Sequence, residues 1–238
     1  MLNDDSLDYL VRNGKSIYRV IYTGCMQKNI FGLNKKEEAF FRKLSTPEKI
    51  QDYLDTLPFN FEKSGPTFYS PRMVLREGKA HCIEAACLAA LALWYHGAEP
   101  LILDLRSLRY DFDHVVTLFR RNGYWGAISK TNHGVLRYRD PVYRTVRELV
   151  LSYFHEYYLT TTGKKTLREY SRPFNLKRVG MAWVTSEATL VDVIASALDL
   201  SRHYSLVPRA NERALRPVSE IEKKMASIPE WRKTDRET

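Results

Sequence analysis

Cysteine is scarce in this sequence, with only Cys25, Cys82 and Cys87 among 238 residues. An odd number at irregular spacing does not make a disulfide framework. Such thiols are typical of a reducing compartment, where they fill the core or act as nucleophiles. His81, Cys82 and Cys87 lie close together, but there is no C-x-x-C pair and no second pair of ligands at zinc-finger spacing. The sequence therefore predicts no bound metal.

Long apolar runs are also missing. None reaches the roughly 18 residues that are needed to span a bilayer, and the longest, residues 82–94, stops at a His-Gly pair. The first 20 residues contain three aspartates and no apolar stretch of the kind found in secretory signals. We therefore expect a cytoplasmic protein without a transmembrane segment.

Positive charge is concentrated in two stretches of a chain whose net charge is +9. Residues 106–147 carry nine Arg and Lys against three Asp, and residues 164–178 carry six against one Glu. A basic surface can attract nucleic acid, an anionic membrane or an acidic partner. No zinc finger, aromatic RNP motif or glycine-rich phosphate loop is present, so nucleic acid is the least favoured partner. A solvated basic face is the simplest interpretation, and an acidic partner stays open.

The spacing of apolar residues predicts helices first and a hairpin later. Thr-Pro at 46–47 has the N-cap and first-turn residues of a helix that Pro58 ends. Residues 82–95 are rich in Ala and Leu and apolar on almost every side, which predicts a central buried helix. The apolar runs 114–120 and 124–128 flank Asn-Gly, the strongest short-range signal of a β-hairpin.

This order of elements predicts an α+β fold, with a central buried helix packed on an antiparallel sheet and extra C-terminal helices. We assign one domain to residues 1–204, with its core at about 45–160. One of the later helices is predicted over residues 187–201. Residues 205–238 contain three prolines and mixed charges, which indicates a peripheral helix and a polar tail.

Cys82 opens the buried helix, and His114 begins a strand. Cysteine attacks as a thiolate, and a helix N-terminus and a neighbouring imidazolium both lower the pKa of a thiol. Backbone amides at the same terminus can hold a developing oxyanion. A cysteine in an Ala-rich helix is often only a small buried hydrophobe, and a lone histidine is often structural. Together, in this order, the two residues indicate nucleophilic catalysis.

Two segments, LREGKAHCIEAACLAALALWYHGAEPLILDL and DHVVTLFRRNGYWGAISK, carry a wider pattern. Residues at about 45–130 resemble the core domain of the transglutaminase-like superfamily, a papain-like cysteine-nucleophile fold, in its bacterial form. The matching positions are Gly78, Cys82, Gly97, His114 and Trp125. The resemblance implies that Cys82 attacks an amide of a protein or peptide substrate to form a thioester, that His114 moves the proton, and that no metal or organic cofactor is needed.

One residue departs from that pattern. The strand that contains the Trp should end on an Asp, which orients the imidazole, but Ser129 stands there. Serine can hydrogen-bond the ring and supplies no charge. We predict that Asn132 replaces the Asp, because an amide does so in Cys-His-Asn sites. Asp140 could also reach back from the following loop, although an Asp-Pro turn explains it better.

Five further residues are predicted to line the substrate site. Phe68 and Tyr69 lie on the long connection before the nucleophile, and His81 directly precedes it. Trp125 and His133 come from the strand and turn after His114. For each of them, core packing or simple exposure is an alternative explanation.

A second function stays open alongside acyl transfer. If the loss of the usual Asp has removed activity, the same domain would be a catalytically degenerate module that binds or scaffolds an acidic partner through its basic face.

Overall fold

The computed structural model of the protein describes residues 30–63, 65–188 and 191–232. Contacts within the chain group residues 31–238 in one compact unit. Cys25 and the rest of the first 29 residues of the predicted domain lie outside the described residues. None of the described helices is long and apolar enough to cross a membrane.

The described residues form α-helices, short 3-10 turns and an antiparallel sheet. The helices are α1 (Lys35–Lys43), α2 (Pro47–Thr56), α3 (Pro71–Glu77), α4 (Cys82–Tyr95), α5 (Val146–Phe154), α6 (Ala182–Thr185), α7 (Val191–Asp199) and α8 (Glu220–Ala226). The strands are β1 (Leu101–Arg106), β2 (His114–Arg121), β3 (Tyr124–Ile128), β4 (Arg139–Tyr143), β5 (Glu169–Ser171), β6 (Phe174–Asn175) and β7 (His203–Ser205). The 3-10 turns are Leu176–Val179 and Arg209–Ala214.

The sheet has the strand order β4-β3-β2-β1-β5-β7, and β6 also pairs with β1. Every pairing is antiparallel. β2 and β3 are joined by Asn122 and Gly123, whose φ angles of 52° and 88° are those of a tight hairpin turn. In the register of β1 and β2, Leu105 is opposite His114, which places His114 at the end of the central strand pair.

Helix α4 is the centre of the structure. Its residues from Glu84 to Leu93 are all buried, because the helix has apolar neighbours on all sides. Its alanines allow a close approach to β2, where Thr117 Oγ1 donates to the Ala86 carbonyl at 2.7 Å. This packing fixes the N-terminus of α4, with Cys82, beside the start of β2.

The sheet separates two apolar clusters. On β2, Val115 and Phe119 belong to the cluster around α4, whereas Val116 and Leu118 belong to the cluster around α5. This division follows from the alternation of side chains along a strand. The sheet is therefore covered by helices on both faces.

The structure confirms the mixed fold of helices and antiparallel sheet, the bounds of α4, the start of α2 at Thr46-Pro47 and the β2–β3 hairpin. The helix predicted over 187–201 is described as α7, with residues 189–190 outside the description. Strands β4 to β7 were not predicted. They have only two to five residues, too few for a recognisable alternation of polar and apolar positions.

Candidate active site

Cys82 is the first residue of α4, and it lines a cavity of about 600 Å³. Its side chain is partly exposed, whereas Cys87, deeper in the same helix, is completely buried. The first amides of a helix have no acceptor within the helix, and they form its positive end. Cys82 therefore lies at the positive end of α4 and on the wall of the cavity.

Burial and two histidines act in opposite directions on the Cys82 thiol. Burial raises its pKa, but hydrogen bonding to His114 and His81 and the charges of the two rings outweigh burial and hold the pKa of Cys82 well below its usual range. Burial raises the pKa of the Cys87 thiol, and the charges of Glu84 and Cys82 raise it further. The two thiols should therefore differ strongly in reactivity.

His114 is buried at the start of β2, and its Nε2 lies 2.9 Å from Ser129 Oγ. The Ser129 hydroxyl donates to the Leu136 carbonyl at 2.6 Å, so its oxygen accepts the Nε2 hydrogen of His114. This arrangement keeps a proton on Nε2 and leaves Nδ1 for the thiol. Ser129 thus orients the ring through a neutral hydrogen bond.

The carbonyl that receives the Ser129 hydroxyl belongs to a strained residue. Leu136 has a φ of 62°, in the left-handed region that costs a non-glycine residue roughly 1 to 2 kcal/mol. Its N–H donates to Glu156 Oε2 at 2.9 Å, and Arg139 donates to the same oxygen at 2.6 Å. These contacts fix the Leu136 carbonyl in the position in which it accepts the hydrogen of the Ser129 hydroxyl.

Ser129 is also held by Gln51, a residue of α2 that the sequence analysis missed. Gln51 Oε1 accepts from the Ser129 N–H at 3.0 Å, and Gln51 Nε2 donates to the Ser129 carbonyl at 2.8 Å. Gln51 is buried, which is unusual for a glutamine. The available signal was its place beside Ile50, on the apolar side of α2.

Asn132 does not take the place that the sequence analysis predicted for it. Its side chain donates to the Trp231 carbonyl at 3.0 Å and accepts from the Trp231 N–H at 2.8 Å. The reason is geometric: Ser129 directly follows β3 and stays beside His114, whereas the chain has turned toward the C-terminal segment by Asn132. Asp140, the other alternative, lies exposed on β4.

His81 is the N-cap residue of α4, and its ring contacts more than the thiol. Its Nε2 lies 3.2 Å from the Thr67 carbonyl and 3.4 Å from Glu84 Oε1. Burial alone would lower the pKa of His81, but the hydrogen bond to Cys82 and the charges of Cys82 and Glu84 raise it to about 9. His81 is therefore a cation at neutral pH.

Glu84 is completely buried in the first turn of α4, and several donors surround its carboxylate. These donors are Thr67 Oγ1 at 2.9 Å, the Tyr69 N–H at 2.9 Å, Asn60 Nδ2 at 3.1 Å and the His81 N–H at 2.9 Å. A buried carboxylate is stable in a protein only with such partners. Glu84 thus ties the long connection before α4 to the first turn of the helix.

The predicted substrate residues fall into two groups. His81 and His133 line the cavity. Phe68 does not reach it, because its ring is buried in the cluster around α4, and Tyr69 packs against the same cluster. Trp125 packs against the other cluster, under the guanidinium of Arg120 at 4.9 Å. The cavity wall is instead formed largely by residues that the sequence analysis did not single out.

Carboxylates are frequent on that wall. Glu62, Asp111, Asp113 and Glu156 all line the cavity. Lys130 also lines the cavity. Its Nζ donates to the Leu57 carbonyl at 2.6 Å and lies 3.6 Å from Glu230. Burial lowers the pKa of Lys130, although the charge of Glu230 opposes this. An acidic partner would therefore meet charges of its own sign at this cavity.

The C-terminal segment forms part of the same cavity. Ala226 of α8 lines it, and the Ala226 carbonyl lies 3.1 Å from His133 Nδ1. Pro229 forms a bridge with His133, and Arg137 pairs with Glu230 at 3.2 Å. Residues near 226–232 therefore lie against the loop that follows β3.

Among the described residues, no group of three or more His, Cys, Asp or Glu side chains could hold a metal ion. No known protein-family model matches the chain, and no curated protein matches it significantly. The similarity to the transglutaminase-like core accordingly stays a prediction from the sequence pattern.

Proposed function

We propose that this protein is a cysteine-dependent acyltransferase or amide hydrolase of the transglutaminase-like type, with Cys82 as nucleophile and His114 as its acid–base partner. The observation that carries the proposal is the position of the Cys82 thiol. It lies at a helix N-terminus, on the wall of a cavity that His81 and His114 also line. Helix termini and imidazolium groups are the two devices that activate cysteine nucleophiles.

The proposed reaction has two halves. His114 Nδ1 takes the thiol proton, and the thiolate attacks the carbonyl carbon of an amide. When the C–N bond breaks, the leaving amine takes the proton from His114, and a thioester on Cys82 remains. Water or an amine then attacks the thioester and gives a proton to His114, and the C–S bond breaks. The amide of Cys82, at the first position of α4, is the candidate donor to the oxyanion.

Ser129 takes the orienting role that an aspartate has in the resembled pattern. Its hydroxyl is committed to the Leu136 carbonyl, so its oxygen presents only an acceptor to His114. The ring is thereby held in the tautomer in which Nδ1 is free to accept the thiol proton. A neutral acceptor supports this geometry, although it gives less support to an imidazolium than a carboxylate does.

The alternative, a binding module with a basic face, has less support. Basic residues of both stretches are paired with acids. Arg106 lies 3.3 Å from Asp199, Arg139 lies 2.6 Å from Glu156, and Lys177 of the second stretch lies 3.0 Å from Glu99. The positive charge of these stretches is therefore partly neutralised within the molecule.

The test is alkylation by iodoacetamide between about pH 5 and 9, with each cysteine peptide quantified by mass spectrometry. An ordinary thiol has a pKa of about 8.5, so it reacts slowly at pH 6. Cys82 should react at least about tenfold faster than free glutathione at that pH. Cys87, buried in the same helix, is the internal control.

A second probe tests acyl transfer itself. With 4-nitrophenyl acetate, wild-type protein should acquire one acetyl thioester on Cys82, and the Cys82→Ser variant should not. Equal and slow labelling of Cys82 and Cys87, with no acetyl group on Cys82, would overturn the proposed function.

A further inference from the structure

The carboxylate of Glu84 lies beside His81, whereas the sequence pattern indicates a carboxylate beside His114. His81 lies 3.4 Å from Glu84, whereas His114 is held by the hydroxyl of Ser129. We propose that His81, supported by Glu84, is a second catalytic histidine that holds Cys82 as a thiolate while His114 carries the proton. This inference rests on the proposed function and divides its acid–base work between two rings.

The hydrogen-bond pattern of His81 determines which of its nitrogens faces the thiol. The Thr67 carbonyl, 3.2 Å from Nε2, can only accept, so Nε2 carries a hydrogen. Nδ1 is then the nitrogen left for the neighbouring Cys82, which lines the same cavity. When Nδ1 is protonated as well, His81 is an imidazolium that donates from Nε2 to the Thr67 carbonyl and has Nδ1–H free for the thiolate.

Negative charge surrounds the Nε2 side of this ring. Glu84 Oε1 is the nearest carboxylate oxygen, and Glu62 Oε1 lies 3.6 Å away. In each of the side-chain hydrogen bonds of Glu84, the carboxyl oxygens are the acceptors. The side chain of His81 is only 14% exposed, so these charges act with little screening by solvent.

His114 has a different environment. Its Nε2 bonds to the Ser129 hydroxyl. In the part of the chain that the structure describes, His81 and His203 pair with a carboxylate, whereas His114 does not. His114 is therefore oriented by a hydrogen bond to a hydroxyl. Such a ring can pass a proton between thiol, amine and water without breaking a contact to a carboxylate.

The proton balance of the proposed cycle follows from this division. Once His114 Nδ1 has taken the thiol proton, Cys82 is a thiolate and both rings are protonated. The thiolate attacks, the C–N bond breaks, and the amine takes the proton of His114. Water then attacks the thioester and returns a proton to His114 as the C–S bond breaks. His81 keeps its proton throughout. When the C–S bond breaks, the Cys82 thiolate forms again beside the protonated His81.

The experiment compares His81→Gln and His114→Gln with two readouts, and both use the full chain. The first is the pH midpoint of Cys82 alkylation, which reports the thiolate. The second is the reaction with 4-nitrophenyl acetate, whose leaving group needs no proton. Its burst therefore measures acylation of the thiolate, and its steady state measures attack of water on the thioester, which needs His114.

We expect the two variants to be impaired in different steps, His81→Gln in acylation by the thiolate and His114→Gln in hydrolysis of the thioester. His81→Gln should raise the alkylation midpoint by at least about one pH unit and slow the burst about tenfold near pH 6. His114→Gln, measured above its own alkylation midpoint, should keep the burst but lose about a hundredfold of the steady-state rate. His81→Lys, which restores a cation at this position, should recover part of the low midpoint.

His96→Gln is the matched control, because His96 lies exposed at the opposite end of α4. It should change neither readout, and thermal unfolding should show that every variant is folded. The inference is overturned if His81→Gln leaves the midpoint where wild type has it, if His81→Lys raises the midpoint as far as His81→Gln does, or if His114→Gln alone removes the thiolate. A wild-type Cys82 that neither alkylates rapidly nor forms the acetyl thioester would instead refute the proposed function, which separates the two failures.

Discussion

Gln51 and Ser129 are joined by two hydrogen bonds, one in each direction, between the Gln51 side-chain amide and the Ser129 backbone. The two residues are 78 positions apart in the chain. Since Ser129 in turn bonds His114, Gln51 controls the orientation of the candidate acid–base residue without touching the thiol. It is a positioning residue in this site.

The first prediction concerns Gln51→Leu, which keeps the size of the side chain and removes both hydrogen bonds to Ser129, together with one from Gln51 Nε2 to Asp55. An unsatisfied buried polar group costs about 1 to 3 kcal/mol, so the free energy of unfolding in urea should fall by at least about 2 kcal/mol. The steady-state rate with 4-nitrophenyl acetate should also fall, because His114 loses its fixed orientation. Asp52→Asn, exposed on the same helix, is the control and should change neither quantity.

A role of Gln51 in packing alone would leave a different signature. The folded fraction of Gln51→Leu would then keep the wild-type steady-state rate once its lower stability is taken into account. That result would contradict the positioning role.

The second prediction concerns Ser129. Ser129→Ala removes the acceptor from His114 Nε2 and should lower the steady-state rate by about tenfold or more, while the burst stays. Ser129→Asp restores the charge of the resembled pattern but has no hydrogen to donate to the Leu136 carbonyl. We therefore expect Ser129→Asp to lower the thermal unfolding midpoint, and its steady-state rate should not exceed that of wild type. Unchanged turnover in Ser129→Ala would contradict the role given to its hydroxyl.

The third prediction separates Ser129 from Asn132. Asn132→Ala breaks the two hydrogen bonds to the Trp231 backbone, so hydrogen exchange of residues 229–232 should become faster. The alkylation midpoint of Cys82 should not move, because Asn132 does not contact His114. A raised midpoint with unchanged exchange would show instead that Asn132 is the orienting residue.

The fourth prediction concerns pH. The raised pKa of His81 increases the free energy of unfolding below about pH 6.5, and this contribution is lost as the pH rises through about 9. The lowered pKa of Cys82 has the opposite effect. Its contribution to the free energy of unfolding is present above the unperturbed thiol value of 9.0 and is lost as the pH falls through the lower pKa of the folded protein. Between about pH 6.5 and 9 the two contributions change in opposite directions. The free energy of unfolding of wild type should therefore change little with pH across that range.

Histidine NMR checks the same ion pair directly. In protein labelled at the histidine rings, the His81 resonance should titrate near pH 9. In Cys82→Ser the midpoint should fall, since the hydrogen bond to Cys82 is the strongest of the effects that raise it. A His81 midpoint near the ordinary value of 6.5 in wild type would refute the ion pair.

The sequence by itself determined the elements whose signals are local. Thr46-Pro47 starts α2, the Ala- and Leu-rich run from Cys82 makes α4, and Asn122-Gly123 closes the hairpin. These signals need only a few neighbouring residues, because capping, helix propensity and turn conformation act within one or two turns of chain. The same local logic placed Cys82 at a helix N-terminus.

Only the tertiary structure decided which groups surround that cysteine. Ser129 rather than Asn132 lies beside His114, Gln51 clamps Ser129 from a distant helix, and the carboxylate of Glu84 lies behind His81. The first two arrangements depend on strand register and on packing between elements that are far apart in the chain. The third is close in sequence, but it forms only because the long connection before α4 folds back and supplies donors to a buried carboxylate.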